Sequence, residues 1–309
     1  MISLKQLSYA LAVDRERHFR KAAEACSVSQ SALSTAVAEL ENQLGIQIFE
    51  RDNKKVLVTP IGEQILQKAQ VIGAEVSDLY QMARLQKTPL SYPMSLGVIP
   101  TIGPYLLPKV LPEVRRQYPD FELTIIEEQS HVLTDKVRSG EIDTAVLALP
   151  YDVDGLHAFE FWEEDLFLVT FAGSPYAELD SIDSADLQDA ELLLLKDGHC
   201  LRDHALAVCN RQSTDMRRSL AGTSMYTLTQ MVAGHMGSTL VPQMALDQLL
   251  GGSSELRAVR LQEASPHRTI AFITRLNYAG VANIELLKKL FRQELKKSVN
   301  VSARSLAER

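Results

Sequence analysis

The stretch Lys196-Asp197-Gly198-His199-Cys200-Leu201-Arg202-Asp203-His204-Ala205-Leu206-Ala207-Val208-Cys209 gathers two thiols, two imidazoles and a guanidinium within fourteen positions. Gly198 breaks the apolar run before it, and the residues from Leu201 onward have helical character, which places Cys200 at or near a helix N-terminus. A helix N-terminus and neighbouring cations lower a thiol pKa, and the thiolate is the form that reacts with peroxide. The competing reading is that the thiols are small buried hydrophobes, the usual fate of an unbridged cysteine and the one expected for Cys26. Nine residues of helix span about 13.5 Å and end on opposite faces. A disulfide tolerates Cα atoms only about 4.4–6.8 Å apart. A helix between Cys200 and Cys209 and a bond joining them therefore exclude one another. Pairing would require the segment to unwind, a two-state element with oxidation as its ligand.

Little else in the chain offers chemistry. There is no phosphate-binding Walker loop, no G-x-G-x-x-G after a strand, no G-x-S-x-G elbow and no H-E-x-x-H. The seven histidines are scattered, and no metal site or cofactor is expected. Three cysteines in 309 residues make no disulfide scaffold. No apolar run approaches the ~18–20 residues of a membrane span. The N-terminal stretch carries acid and base within its apolar run and lacks a small-residue cleavage site, which argues for a cytoplasmic chain. The net charge of −7 is an average: residues 1–90 carry +1 and the remainder −8. Arg15, Arg17, Arg20 and Lys21 form one basic cluster, and Arg51, Lys54 and Lys55 another.

The elements around those clusters read as a DNA-binding unit. Leu4, Leu7, Leu11 and Val13 predict a helix over about residues 3–14, and a second short helix runs from Phe19 through Ala25. Ser29 is the expected N-cap of a third helix with Leu33, Val37, Leu40 and Leu44 on one face and Gly45 at its stop. Ile48–Arg51 and Lys54–Val58 read as a two-stranded wing with a basic tip. The segment HFRKAAEACSVSQSALSTAVAELENQLGIQIFERDNKKVLVTPIGEQIL resembles the winged helix-turn-helix of LysR-type transcriptional regulators. The likeness lies in the Ala-Ala pair, VSQ-x-ALS, LE-x-x-LG, F-x-R and T-x-x-G. It implies that Ser29, Gln30, Ser31 and Ser34 face base edges of double-stranded DNA, with Arg51, Lys54 and Lys55 on phosphates. Ser31 stands where many members have Pro, and Thr35-Ala36-Val37-Ala38 replaces their basic residues, so base reading falls to hydroxyl and amide groups.

From Pro60 to about Lys87, Ile61, Ile65, Leu66, Ala69, Ile72, Val76, Leu79 and Met82 form a continuous helical stripe. As a linker helix it would pack on its own copy. Beyond Pro93 the pattern alternates strand and helix, which predicts a parallel sheet with helices on both faces. Expected strands cover 94–99, 122–127, 142–149, 166–171, 192–195, 217–220, 238–241, 256–261 and 268–274. Helices are expected over 104–118, 131–139 and 284–297. The resulting expectation is α+β overall: a winged helix-turn-helix (1–59), a linker and dimerisation helix (60–90), and a two-lobed α/β, periplasmic-binding-protein-like regulatory domain (91–309).

The strings IPTIGPYLLP and KDGHCLRDHALAVC narrow the resemblance to the hydrogen-peroxide-sensing members of the LysR family. That resemblance implies Cys200 as the peroxidatic and Cys209 as the resolving cysteine, with Thr101, Ser130, His199 and Arg268 lining a peroxide pocket and Arg202 and Asp203 supporting the reduced helix. It further implies control of antioxidant genes, a homotetramer built as a dimer of dimers, RNA polymerase as partner, and glutaredoxin- or thioredoxin-type reductants. Two alternatives stand beside it: a LysR-type regulator that binds a small metabolite with inert cysteines, and a thiol peroxidase.

Overall fold

The computed structural model describes residues 1–52, 55–85, 89–187, 191–209, 221–222, 224–251 and 253–307. Two compact units result, one of residues 1–86 and one of nearly all the rest. In the first, α1 (Leu4–Glu16) starts on a capping box in which the Ser3 hydroxyl accepts from the Gln6 amide while the Gln6 side chain accepts from that of Ser3. Helix α2 (Phe19–Ala25) buries Ala22 and Ala23. Cys26 caps its end and is half-buried rather than fully enclosed. Helix α3 (Gln30–Leu44) begins at Ser29, whose hydroxyl accepts from the Ala32 amide, and stops at Gly45 in the left-handed conformation.

The wing pairs β1 (Phe49–Asp52) antiparallel with β2 (Lys55–Val58). Glu41 of α3 ties it down by accepting from the Ile48 and Phe49 amides at 2.8 and 3.0 Å. The long α4 (Pro60–Leu85) follows. Thr59 accepts from the Gly62 amide at 2.9 Å and donates to the Gln47 carbonyl at 2.7 Å. A Cβ at position 62 would collide with the Ile48 carbonyl, so the helix can start here only with glycine. Leu66 and Ala69 of the α4 stripe are buried, whereas Ile61, Ile72 and Leu79 face solvent.

The second unit contains β3 (Met94–Val98), α5 (Gly103–Gln117), β4 (Leu123–Glu127), α6 (Ser130–Ser139), β5 (Thr144–Leu149) and β6 (Leu156–Glu164). The chain then crosses to a second sheet through β7 (Leu166–Phe171), β8 (Ser181–Ile182), β9 (Leu194–Leu195), α7 (Cys200–Val208), β10 (Ala221–Gly222), α8 (Met225–Ala233), β11 (Thr239–Pro242), α9 (Gln243–Leu250) and β12 (Leu256–Leu261). It returns as β13 (Arg268–Arg275) and closes with α10 (Val281–Ala307). The first sheet has the order β4-β3-β5-β13-β6 and the second β11-β7-β12-β8.

Neither sheet is purely parallel, which corrects the sequence expectation. Strand β13 runs antiparallel to both β5 and β6, and β7 runs antiparallel to β11 and β12. The reason is the double crossing: a strand that re-enters the first sheet from the second arrives in reverse. The sequence reading missed β6, α8 and α9, and α10 extends beyond the expected 284–297. The strand expected over 217–220 lies outside the described residues.

Both crossings meet at one point. Glu164 ends β6, and its carboxylate accepts from Arg268 Nε at 2.7 Å and Nη2 at 2.5 Å. The other carboxylate oxygen accepts from the Met244 amide in the first turn of α9, where the helix dipole favours negative charge. Ser265 donates to Asp165, and the Leu166 amide donates to His267 Nδ1 at 2.9 Å. At the far end of β13, the Arg275 guanidinium lies 5.3 Å from the centre of the Tyr278 ring. Asn283 accepts there from the Leu90 amide, where the chain enters this unit.

Arg268 and Glu164 side chains are fully buried, so removing one leaves an uncompensated charge. Glu164→Leu is expected to destabilise the second unit by about 3–5 kcal/mol in urea unfolding. A loss below about 1 kcal/mol would show that the pair does not hold the crossings together.

Candidate functional site

The carboxyl ends of β3, β4 and β5 point to one edge of the first sheet. Because β13 is antiparallel, its first residue arrives at the same edge, with Thr269 paired to Leu149 at the end of β5. This brings together Thr101 from the turn after β3, Ser130 from the start of α6, Arg268 from the start of β13 and Cys200 from the start of α7. All four are buried. Arg268 Nη2 also approaches the Thr101 carbonyl at 3.4 Å.

Gly198 permits the approach of the cysteine loop. Its φ is +94°, and a Cβ there would lie 2.6 Å from Oε1 of Gln129, next to Ser130. His199 occupies the N-cap of α7 without a side-chain cap bond. Leu201 and Ala205 then face Leu194, Leu195, Leu228 and Leu240 in a tight apolar recess. Arg202 pairs with the exposed Asp197 across the glycine turn at 2.9 Å, and exposed Asp203 adds negative charge in the first helical turn. Asp203 favours the helix modestly through its dipole, whereas the Arg202 pair, with Asp197 in solvent, contributes little.

The electrostatics differ from the sequence expectation of an activated thiolate. Burial pushes the Cys200 thiol up, outweighing Ser130, the Arg268 charge and the Ala148 backbone, and Asp203 adds to the rise. The histidines supply no charge, because burial holds both His199 and His204 below the ordinary histidine range. Arg268, the cation facing the sulfur, is already neutralised by Glu164. Sequence proximity to His199, Arg202 and His204 therefore misjudged the thiol: two are neutral, and Arg202 is engaged elsewhere.

The pocket nevertheless holds unspent hydrogen-bonding capacity. Thr101 Oγ1 and Arg268 Nη1 are buried with no hydrogen-bond partner, and the buried Ser130 hydroxyl turns to the Cys200 sulfur. Such groups are costly to leave unmade, and something small that both donates and accepts would satisfy them. Cys209 lies at the opposite end of α7, and no disulfide joins it to Cys200. Glu164, the partner that positions Arg268, was missed in sequence because nothing local marks a bond across 104 residues.

On the first unit, Gln30 and Ser31 are exposed at the start of α3, and Ser29 and Ser31 share a hydroxyl contact at 3.1 Å. Ser34 is half-buried one turn on. Arg51 lies on β1 and Lys55 on β2, while Lys54 falls outside the described residues. Among the described residues, no cluster of three or more His, Cys, Asp or Glu could hold a metal, and no helix is long and apolar enough to cross a membrane.

A capped third helix with a wing, followed by a two-sheet unit with buried polar groups around a thiol, is the architecture of a bacterial regulator with a DNA-binding and an effector part. Family profiles agree: residues 4–63 match the bacterial regulatory helix-turn-helix protein, lysR family, and residues 88–296 the LysR substrate binding domain. The chain belongs to the LysR family. It is 38% identical over 274 residues to the HTH-type transcriptional regulator EstR of Acinetobacter baylyi, covering 88% of this chain and 90% of that one. It is 36% identical over 276 residues to the hydrogen peroxide-inducible genes activator of Dickeya chrysanthemi, with coverages of 89% and 90%. A solved structure of full-length OxyR from Pseudomonas aeruginosa, in a cysteine-to-aspartate variant, superposes with a TM-score of 0.80 at 34% identity, covering 94% of this chain and 98% of that one.

A raised thiol pKa fixes a sign. Cys200 stays protonated at neutral pH, so its alkylation by iodoacetamide in the reduced protein should be slow at pH 7 and rise only above the ordinary cysteine range. A reactivity midpoint at or below about pH 8 would contradict this electrostatic account.

Proposed function

We propose that this protein is a cytoplasmic DNA-binding transcription regulator, not an enzyme, that senses hydrogen peroxide by reversible disulfide formation between Cys200 and Cys209 and controls antioxidant genes. The observation that carries the reading is the buried Cys200 thiol facing the Ser130 hydroxyl and the Arg268 charge, with the unpartnered Thr101 Oγ1 and Arg268 Nη1 gathered at the same sheet edge. Hydrogen peroxide is small, donates twice and accepts at both oxygens, and so matches that set. The name of the Dickeya relative supports the same ligand.

In the first step the thiol proton leaves, the sulfur attacks one peroxide oxygen, the O–O bond breaks, and the departing oxygen leaves as water. Cys200 becomes a sulfenic acid. The Cys209 thiol then attacks that sulfur and expels a second water, forming the disulfide. Arg268 and the two hydroxyls orient the peroxide and stabilise the departing oxygen, and His199 closes the pocket at the helix cap. The raised thiol pKa keeps Cys200 largely protonated, and so quiet, at neutral pH. A dithiol reductant of the glutaredoxin or thioredoxin type returns the pair to thiols.

The DNA-reading surface is Ser29, Gln30, Ser31 and Ser34 at the start of α3, with Arg51, Lys54 and Lys55 on phosphates. The apolar residues Ile61, Ile72 and Leu79, solvent-facing on α4, support dimerisation through the linker, and two dimers form the tetramer that contacts RNA polymerase. Residues 1–59, 60–90 and 91–309 carry DNA binding, dimerisation and sensing respectively.

Mass mapping of non-reduced peptides after low-dose peroxide should find the Cys200–Cys209 bond in the full-length protein, and none in Cys200→Ser. That variant should keep DNA binding and lose its peroxide response. In Cys209→Ser, dimedone should trap a sulfenic acid at Cys200. Absence of the bond in the unsubstituted protein, or sustained peroxide consumption with a thiol reductant, would overturn the reading.

A further inference from the structure

Unwinding α7 has a cost that contacts along the helix set, and one of them is specific. His204 lies one turn beyond Cys200, on the same buried face of α7. Its Nε2 is 2.9 Å from the carbonyl oxygen of Pro150, the residue that follows β5. A carbonyl only accepts, so Nε2 carries the proton and donates, which leaves Nδ1 as a bare acceptor. Nδ1 is buried with no partner. The ring therefore makes one strong commitment, to a strand end in the first sheet, from the middle of a helix that packs against strands β9 and β11. The rest of that helix face is Leu201, Ala205 and Leu206, which pack without direction.

We infer that His204 is a positioning residue, a latch that holds α7 wound onto the end of β5 and so sets the rate at which Cys209 reaches oxidised Cys200. The inference rests on the proposed Cys200–Cys209 disulfide. The helix centre has to move when Cα atoms about 13.5 Å apart close to disulfide distance, and His204 sits at that centre. Releasing it gives up the hydrogen bond from Nε2 to the Pro150 carbonyl, which adds to the barrier. The chemistry at Cys200 precedes this movement and does not use the imidazole. Disulfide closure, in which the Cys209 sulfur attacks the Cys200 sulfenic acid and water departs, follows it.

The test separates the two steps. Sulfenic acid formation is timed by dimedone trapping in a Cys209→Ser background, and disulfide closure by acid-quenched thiol alkylation with the cysteine pair intact. His204→Leu removes the donor at similar bulk, while His204→Gln keeps an N–H that can reach Pro150. Expected is closure roughly three- to tenfold faster in His204→Leu, unchanged sulfenic acid formation, and rescue of the slower closure by Gln. Faster hydrogen exchange at the α7 amides of reduced His204→Leu should accompany it. His204→Asn, too short to reach Pro150, serves if the Leu variant does not fold. Equal closure rates in all variants overturn the latch. Slower sulfenic acid formation in both Leu and Gln variants also overturns it, by making Nδ1 a proton acceptor. Failure of the unsubstituted pair to close at all defeats the disulfide reading itself, a result readable before any His204 variant is made.

Discussion

The bond between Arg268 and Glu164 is the constraint on which the second unit turns. A guanidinium and a carboxylate buried together are a poor source of net stability, because desolvation offsets much of their attraction. Their value here is positional. Glu164 ends the strand that leaves the first sheet, and Arg268 begins the strand that comes back, so the pair clasps both crossings at one place. The same guanidinium forms one wall of the thiol pocket. Any distortion of the crossings is therefore a distortion of the pocket, and the reverse also holds.

That clasp explains why a cation near the sulfur coexists with a thiol that resists ionisation. Arg268 is held by a full countercharge, and burial makes an extra negative charge expensive. The arrangement separates readiness from reactivity. Ser130 and Arg268 are set around the sulfur, as pre-organisation requires, while burial keeps the proton in place at neutral pH.

The first unit was nearly transparent in sequence because its instructions are local. Ser29 and Gly45 mark the ends of α3, the Ala-Ala pair sets a close helix contact, and Thr59 and Gly62 build the start of α4 within four residues. Even Glu41 reaches only seven and eight residues to cap the wing. The second unit was legible in its strands and not in their directions. Alternation of strand and helix says nothing about a chain that leaves one sheet and re-enters it reversed, and β6 carried no period that would announce it. At the site, the residue types Thr101, Ser130, Cys200 and Arg268 were visible as a resemblance, but their charge states were not. Burial decides those, and burial comes from contacts across a hundred residues.

The reversed entry of β13 gives this strand an unusual span. Its first residue stands in the pocket and its last, Arg275, packs on Tyr278, beside the turn where Asn283 takes the amide of Leu90. Eight residues of strand make a rod about 24 Å long. It is a lever with one arm: a tilt of about 5° about the pocket end would carry the other end through about 2 Å, by the length of such a strand. That displacement is delivered at the doorway through which the chain enters the effector unit.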